Sequence, residues 1–297
     1  MQILKNIASF LFKLFLSEKS RERIEKYILS IALVSFLLHL LLIALVHYNV
    51  MEFLSESALL QNPISAIYTP FSFILIYEVY ALIYYLPYSF TTYITKQYEI
   101  ITLIIIRRLF KDLSSLELSS NWFEIKDDLQ FTYDLIASLI LFYLIYLFIK
   151  HGKRKMLNEN ETTDTIKRFI DVKKGIAVIL VPLFFFMALF TLYDWLGGVS
   201  VDSQTLPELS SINSLFFDKF FTVLIMVDVV LLLTSFFYVN EFHKTIRNSG
   251  FIISTILIRI SFGVTGLINS VLIIVAVLFG LLIILIHNRY QRKLSGY

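Results

Sequence analysis

The chain has 297 residues, of which 57% are hydrophobic and only 16% charged, and its mean hydropathy is +0.74. That balance is far from that of a soluble domain and marks a polytopic membrane protein. A formal charge of +3 and a pI near 8.8 give no electrostatic case for a nucleic-acid partner, and the lack of cysteine excludes disulfides, thiolate metal sites and cysteine nucleophiles.

At the start, MQILKNIASFLFKLF places Ile3, Leu4, Ile7, Phe10, Leu11, Leu14 and Phe15 at helical spacing, with Lys5 and Lys13 elsewhere on the turn. This predicts an interfacial amphipathic helix rather than a cleaved signal peptide, because Lys13 interrupts the apolar run and no small-residue cleavage site follows. Clear spans come next over residues 27–48, 64–86, 131–149, 175–196 and 216–239, each close to the roughly 20 residues that cross hydrocarbon as helix. Two segments are ambiguous. Residues 89–110 carry Lys96 and Glu99 in their first half, and residues 250–286 are too long for one span and too short for two full ones.

The distribution of lysine and arginine resolves the ambiguity, since these residues collect in short cytoplasmic loops. Residues 1–26 hold six and residues 150–174 hold eight, whereas loops 49–62 and 195–215 hold none and carry Glu52, Glu56, Asp202 and Glu208 instead. Lys244, Arg247, Arg289, Arg292 and Lys293 mark further inner ends. An even number of crossings then separates residue 88 from 150 and residue 248 from 287, so each ambiguous region belongs to a helical hairpin entered from the cytoplasm.

The hairpins read as copies. EIITLIIIR (Glu99 to Arg107) aligns with FIISTILIR (Phe251 to Arg259) at an offset of 152 residues. Each is preceded by a span with one central acid, Glu78 in the first and Asp228 in the second, and each half ends in a span with a basic tail, IKHGKRK and IHNRYQRK. The predicted fold is therefore an all-α polytopic transmembrane bundle of about eight segments. They form two parallel four-helix repeats, 1–156 and 165–297, joined by the polar linker 157–164 (NENETTDT). The second copy lacks an outer loop, and the GVTG run from Gly263 to Gly266 is expected to turn one leg directly into the next.

At roughly 1.5 Å rise per residue, Glu78, Asp228 and Arg259 fall near mid-depth, and Arg107 and Arg108 reach mid-depth or somewhat beyond. A lone arginine at the bilayer centre costs about 2.5–3.5 kcal/mol and a lone carboxylate is also penalised, so acid–arginine pairs are expected. The natural assignments are Glu78 with Arg107 or Arg108, and Asp228 with Arg259. The separations, 30 residues from Glu78 to Arg108 and 31 from Asp228 to Arg259, suit antiparallel neighbours.

The run from Tyr77 to Asp112 places an acid in one span, then an aromatic-rich connection, an apolar leg closed by arginine, and a downstream span with a basic tail. In this it resembles the phosphate-starvation-inducible PsiE family of small four-span membrane proteins. The resemblance covers each half separately and implies a tandem duplication, a bacterial inner-membrane location and a link to stress. Residue by residue it picks out Glu78, Arg108, Asp228 and Arg259, and it implies no activity. The chain departs from the family in its length, in the paired Arg107-Arg108 and in the missing outer loop of the second half.

His39, in SFLLHLLLI, is a candidate polar relay, although a packing histidine bonded to a neighbouring helix is the reading the sequence favours. No HExxH, Walker A, GxGxxG or GxSxG pattern occurs, so neither a metal, a cofactor nor an enzymatic activity is expected. Two functions remain. One is a small-ion channel or transporter lined by Glu78, Arg107, Arg108, Asp228 and Arg259, leaning toward anions because three arginines face two carboxylates. The other is a non-catalytic scaffold or stress sensor whose basic cytoplasmic faces bind anionic lipid headgroups, alone, as a homo-oligomer or with a protein partner. The topology makes a direct prediction. With both termini inside, a Lys155→Cys variant in intact cells should resist an impermeant thiol reagent while Ser203→Cys reacts, and the opposite pattern would overturn the scheme.

Overall fold

A computed structural model describes residues 10–48, 60, 63–113, 126–153, 164–201, 209–238, 241–264 and 266–294, and no strand occurs among them. The helices are α1 (Glu18–His47), a 3-10 segment (Pro63–Ile67), α2 (Tyr68–Tyr85), α3 (Phe90–Leu113), α4 (Lys126–Lys153), α5 (Asp164–Val201), α6 (Leu209–Tyr238), α7 (Phe242–Ser261) and α8 (Leu267–Leu294). Five stretches among the described residues are long and apolar enough to cross a membrane: α1, residues 128–152 of α4, 165–190 of α5, 219–238 of α6 and 267–293 of α8. Thr69–Tyr85 is apolar but shorter. Helices α3 and α7 fall outside this group because each carries several charges, Lys96, Glu99, Arg107 and Arg108 on the first, Lys244, Arg247 and Arg259 on the second. The amphipathic helix expected at the start lies outside the described residues except for 10–15, which are helical with Phe10, Leu14 and Phe15 exposed. Most of the linker expected at 157–164 and of the outer loops expected at 49–62 and 114–130 also lies outside them, and the last five residues of the latter belong to α4.

Local chemistry sets the helix ends. Ser17 caps α1 by accepting from the Ser20 N–H at 3.3 Å, and Ser89 caps α3 by accepting from the Thr92 N–H at 3.2 Å. Pro87 lies in the turn between α2 and α3, where its missing N–H breaks no helical bond. Pro182, by contrast, sits inside α5. The outer connection expected at 195–215 is narrower, since α5 runs to Val201 and α6 starts at Leu209.

The helices fall into two compact units that cut across the sequence halves. In the first, residues 1–84, 110–116 and 175–223, α1 buries a narrow stripe of Ala32, His39 and Ile43 and leaves Leu33, Leu37 and Leu41 exposed, an arrangement hydrocarbon solvates well. His39 shares a hydrogen bond with Thr69 of α2. The Tyr77 hydroxyl donates to Glu25 at 2.7 Å, and Arg21 lies over the Tyr84 ring.

The second unit takes residues 85–109, 117–174 and 224–297. Its frame is the α7–α8 hairpin, turned where expected: Gly266 has φ +80°, a left-handed conformation that a side chain would strain. Helix α7 buries Asn248, Phe251, Ile252, Thr255 and Ile258 along one stripe and exposes Ile253 and Ile260 on the other side. Helix α8 also packs on α4. Where α8 passes α3 the approach is very close, because a Cβ on Gly280 would lie 1.9 Å from the Tyr98 hydroxyl oxygen. Gly280→Ala should therefore destabilise the protein by about 1–3 kcal/mol. Combined with Tyr98→Phe, which removes the clashing atom, the loss in thermal midpoint in detergent should be smaller than the sum of the two single losses; additive losses would mean that the contact is not formed.

Candidate functional site

A line of buried polar side chains runs along α3 in the second unit. At its start, Tyr93 and Gln97 stand one helical turn apart on the same face. The Tyr93 hydroxyl donates to Asp228 Oδ1 of α6 at 2.8 Å, and the Gln97 amide donates to Oδ2 at 3.1 Å. Asp228 is 1% exposed. Both of its hydrogen bonds thus come from neutral groups, inside a stretch apolar enough to span a membrane.

Near Asp228 lies a buried cation. Lys173 Nζ donates to the Tyr88 carbonyl at 2.8 Å and sits 4.3 Å and 4.9 Å from the centroids of the Phe90 and Phe169 rings. The ring quadrupoles compensate part of its lost hydration. Phe169 in turn stacks on Tyr238 at 5.4 Å, so the end of α6 helps to close the cup.

Further along α3, the Tyr98 hydroxyl meets Ser254 Oγ of α7 at 2.7 Å, and Ser254 donates on to the Ala276 carbonyl of α8 at 2.6 Å. Towards the other end stands Arg108. Its Nε and Nη2 grip both carboxylate oxygens of Asp134 on α4, with Nη2 to Oδ1 at 2.7 Å, and Nη2 also donates to Asn269 Oδ1 of α8 at 2.9 Å. Asp134 is fully buried and accepts further from Ser270 at 2.8 Å and Gln130 at 3.0 Å. Asn269 closes the network by donating to the Ser261 carbonyl at 2.6 Å, at the end of α7. Four helices meet in one fully bonded knot.

The partners seen here differ from those that spacing suggested. Arg108, one of the two arginines offered to Glu78, is held by Asp134 and Asn269. Asp228 is held by Tyr93 and Gln97, and the expected pair with Arg259 is absent, although both residues are described and belong to the same unit. Arg107 and Arg259 are half-buried in the second unit, and Glu78 is buried on α2 in the first. Sequence reading missed Asp134, Gln97, Tyr93, Asn269 and Ser270. Asp134 had the same signal as Glu78 and Asp228, an acid within an apolar run, and it lies 26 residues from Arg108, closer than Glu78 does, but it stands near the start of its span rather than at mid-depth. The neutral residues had no signal at all.

No family model matches this chain, and neither a curated protein nor a solved structure matches it. The Arg108–Asp134 pair can be tested by a double-mutant cycle. Asp134→Leu should cost about 3–5 kcal/mol by stranding the guanidinium, whereas adding Arg108→Leu should recover much of that loss, as read from thermal unfolding of the purified protein.

Proposed function

We propose that this chain is an integral membrane protein that moves a small ion through the polar seam along α3, and that Asp228 is the group that takes the ion up, a proton being the simplest case. The observation that carries this reading is the contrast between the two buried acids. Asp134 is locked by a two-pronged arginine and two further donors, Ser270 and Gln130, a geometry that requires the carboxylate to keep its charge. Asp228 is held by a phenol and a primary amide, each of which can donate or accept by rotation, so its partners can serve the carboxylate and the carboxylic acid alike. A buried acid whose partners tolerate either charge state is suited to loading and release, and intramembrane ionisable residues commonly mark such paths.

The anion preference expected from the sequence loses its basis. It counted three arginines against two carboxylates, and Asp134 supplies a third carboxylate that neutralises Arg108. The cargo proposed here is accordingly a proton or a cation. The finer architecture, about eight segments in two parallel repeats at 1–156 and 165–297, also belongs to this proposal. It is supported by the position of EIITLIIIR on α3 and FIISTILIR on α7, each on the charged helix that precedes a long apolar one. The resemblance to the PsiE proteins enters only as a membrane location. No catalytic activity is assigned.

The scaffold reading differs in one measurable respect, because it needs the seam only as glue between helices. Full-length protein in liposomes should dissipate a pH gradient faster than empty vesicles, and Asp228→Asn, which keeps the shape and the hydrogen bonds, should return the rate to that of empty vesicles. Flux of chloride or phosphate unaffected by Asp228→Asn would restore the anion path elsewhere in the molecule. Absence of any flux above the empty-vesicle rate would favour the scaffold.

A further inference from the structure

Asp128 stands in the first turn of α4, at the start of a candidate membrane span, and its side chain is fully buried. Neither of its carboxylate oxygens has a hydrogen-bond partner. That is unusual for any buried acid and cannot be mended by protonation alone: a carboxyl O–H in that position would itself need an acceptor, and the second oxygen would still lack a donor. One positive ligand touching both oxygens satisfies the group in a single step.

Among the described residues, the oxygen-bearing side chain on the same face of α4 one turn on is neutral. Thr132, one turn on, places its hydroxyl 3.0 Å from the Asp128 backbone carbonyl. Gln130 spends its amide nitrogen on Asp134, which leaves its carbonyl oxygen available, and that oxygen lies 4.0 Å from the position a Cβ would take on Gly266. The first turn of α4 therefore lies beside the tight α7–α8 turn. Among the described residues no three His, Cys, Asp or Glu side chains gather as a divalent-metal site would require. A single carboxylate with neutral oxygens suits a hard monovalent ion, whereas calcium takes six to eight oxygens from several carboxylates.

We infer that Asp128 binds an alkali cation, for which sodium is the probe, at the end of α4 that the sequence-derived topology places outside. This site is separate from Asp228, and the inference stands whether or not Asp228 conducts. The two claims are separable because binding is read without transport. Full-length protein in detergent should bind radioactive sodium saturably in a scintillation-proximity assay. In thermal unfolding at constant ionic strength, exchange of choline for sodium should raise the wild-type midpoint by about 2–4 °C. Asp128→Asn should abolish both effects, and in choline it should be no less stable than the wild type, since it removes a charge that nothing else neutralises. Asp228→Asn should retain binding. The inference is overturned if the wild-type protein shows no saturable sodium binding, a result that needs no variant to fold, or if binding survives in Asp128→Asn and is lost in Asp228→Asn.

Discussion

Hydrocarbon offers no hydrogen bonds, so a polar group on a membrane helix must find its partner within the protein. In this chain the constraint falls most heavily on α3. It carries Tyr93, Gln97, Tyr98 and Arg108 into the interior of the second unit, and their partners stand on four other helices: Asp228 of α6 for Tyr93 and Gln97, Ser254 of α7 for Tyr98, and both Asp134 of α4 and Asn269 of α8 for Arg108. Helix α3 is too charged to qualify as a membrane span by composition. Its polar residues are nevertheless what tie the four helices around it, because breaking any one bond leaves a buried group with nothing to replace it.

Close approach of the helices makes those short bonds possible. The missing side chain of Gly280 leaves room for the Tyr98 hydroxyl, which then reaches Ser254; Gly250 gives similar room to Ile283, where a Cβ would lie 2.8 Å from the isoleucine. Small residues at helix contacts are a recurrent solution in membranes, where packing must replace the hydrophobic drive that water supplies. Packing and polar bonding are thus coupled here: a larger residue at position 280 would disturb both the fit of α8 and the hydrogen bond between α3 and α7.

The buried acids illustrate three levels of satisfaction. Asp134 has a full complement of donors including a guanidinium, Asp228 has neutral donors only, and Asp128 has none. Energetically these differ in kind. The first gains most from remaining ionised, the second has partners that can serve either charge state, and the third has no hydrogen-bond partner.

Much of the fold was legible in the sequence because it follows from one-dimensional patterns. Apolar run length located α1, α2, α4, α5 and α6, and basic residue counts required the α7–α8 hairpin, whose turn falls at the predicted Gly263 to Gly266. Capping residues such as Ser17 and Ser89 and the breaker Pro87 are equally local signals. The site was legible only in part. Asp228 and Arg108 stand out in sequence as charges among aliphatic residues, but the charge pattern could not decide their partners. Partner choice depends on which faces of α3, α4, α6 and α8 meet, and small rotations of a helix redirect a side chain to a different neighbour. Spacing along the chain suggested Arg259 for Asp228, yet Tyr93 and Gln97, more than 130 residues away in sequence, hold it instead. The sequence by itself determined that these charges had to be buried and compensated, since their place in apolar runs leaves no alternative. Only the tertiary structure decided which groups compensate them, because hydrogen-bond satisfaction is a property of contacts between helices and not of order along one.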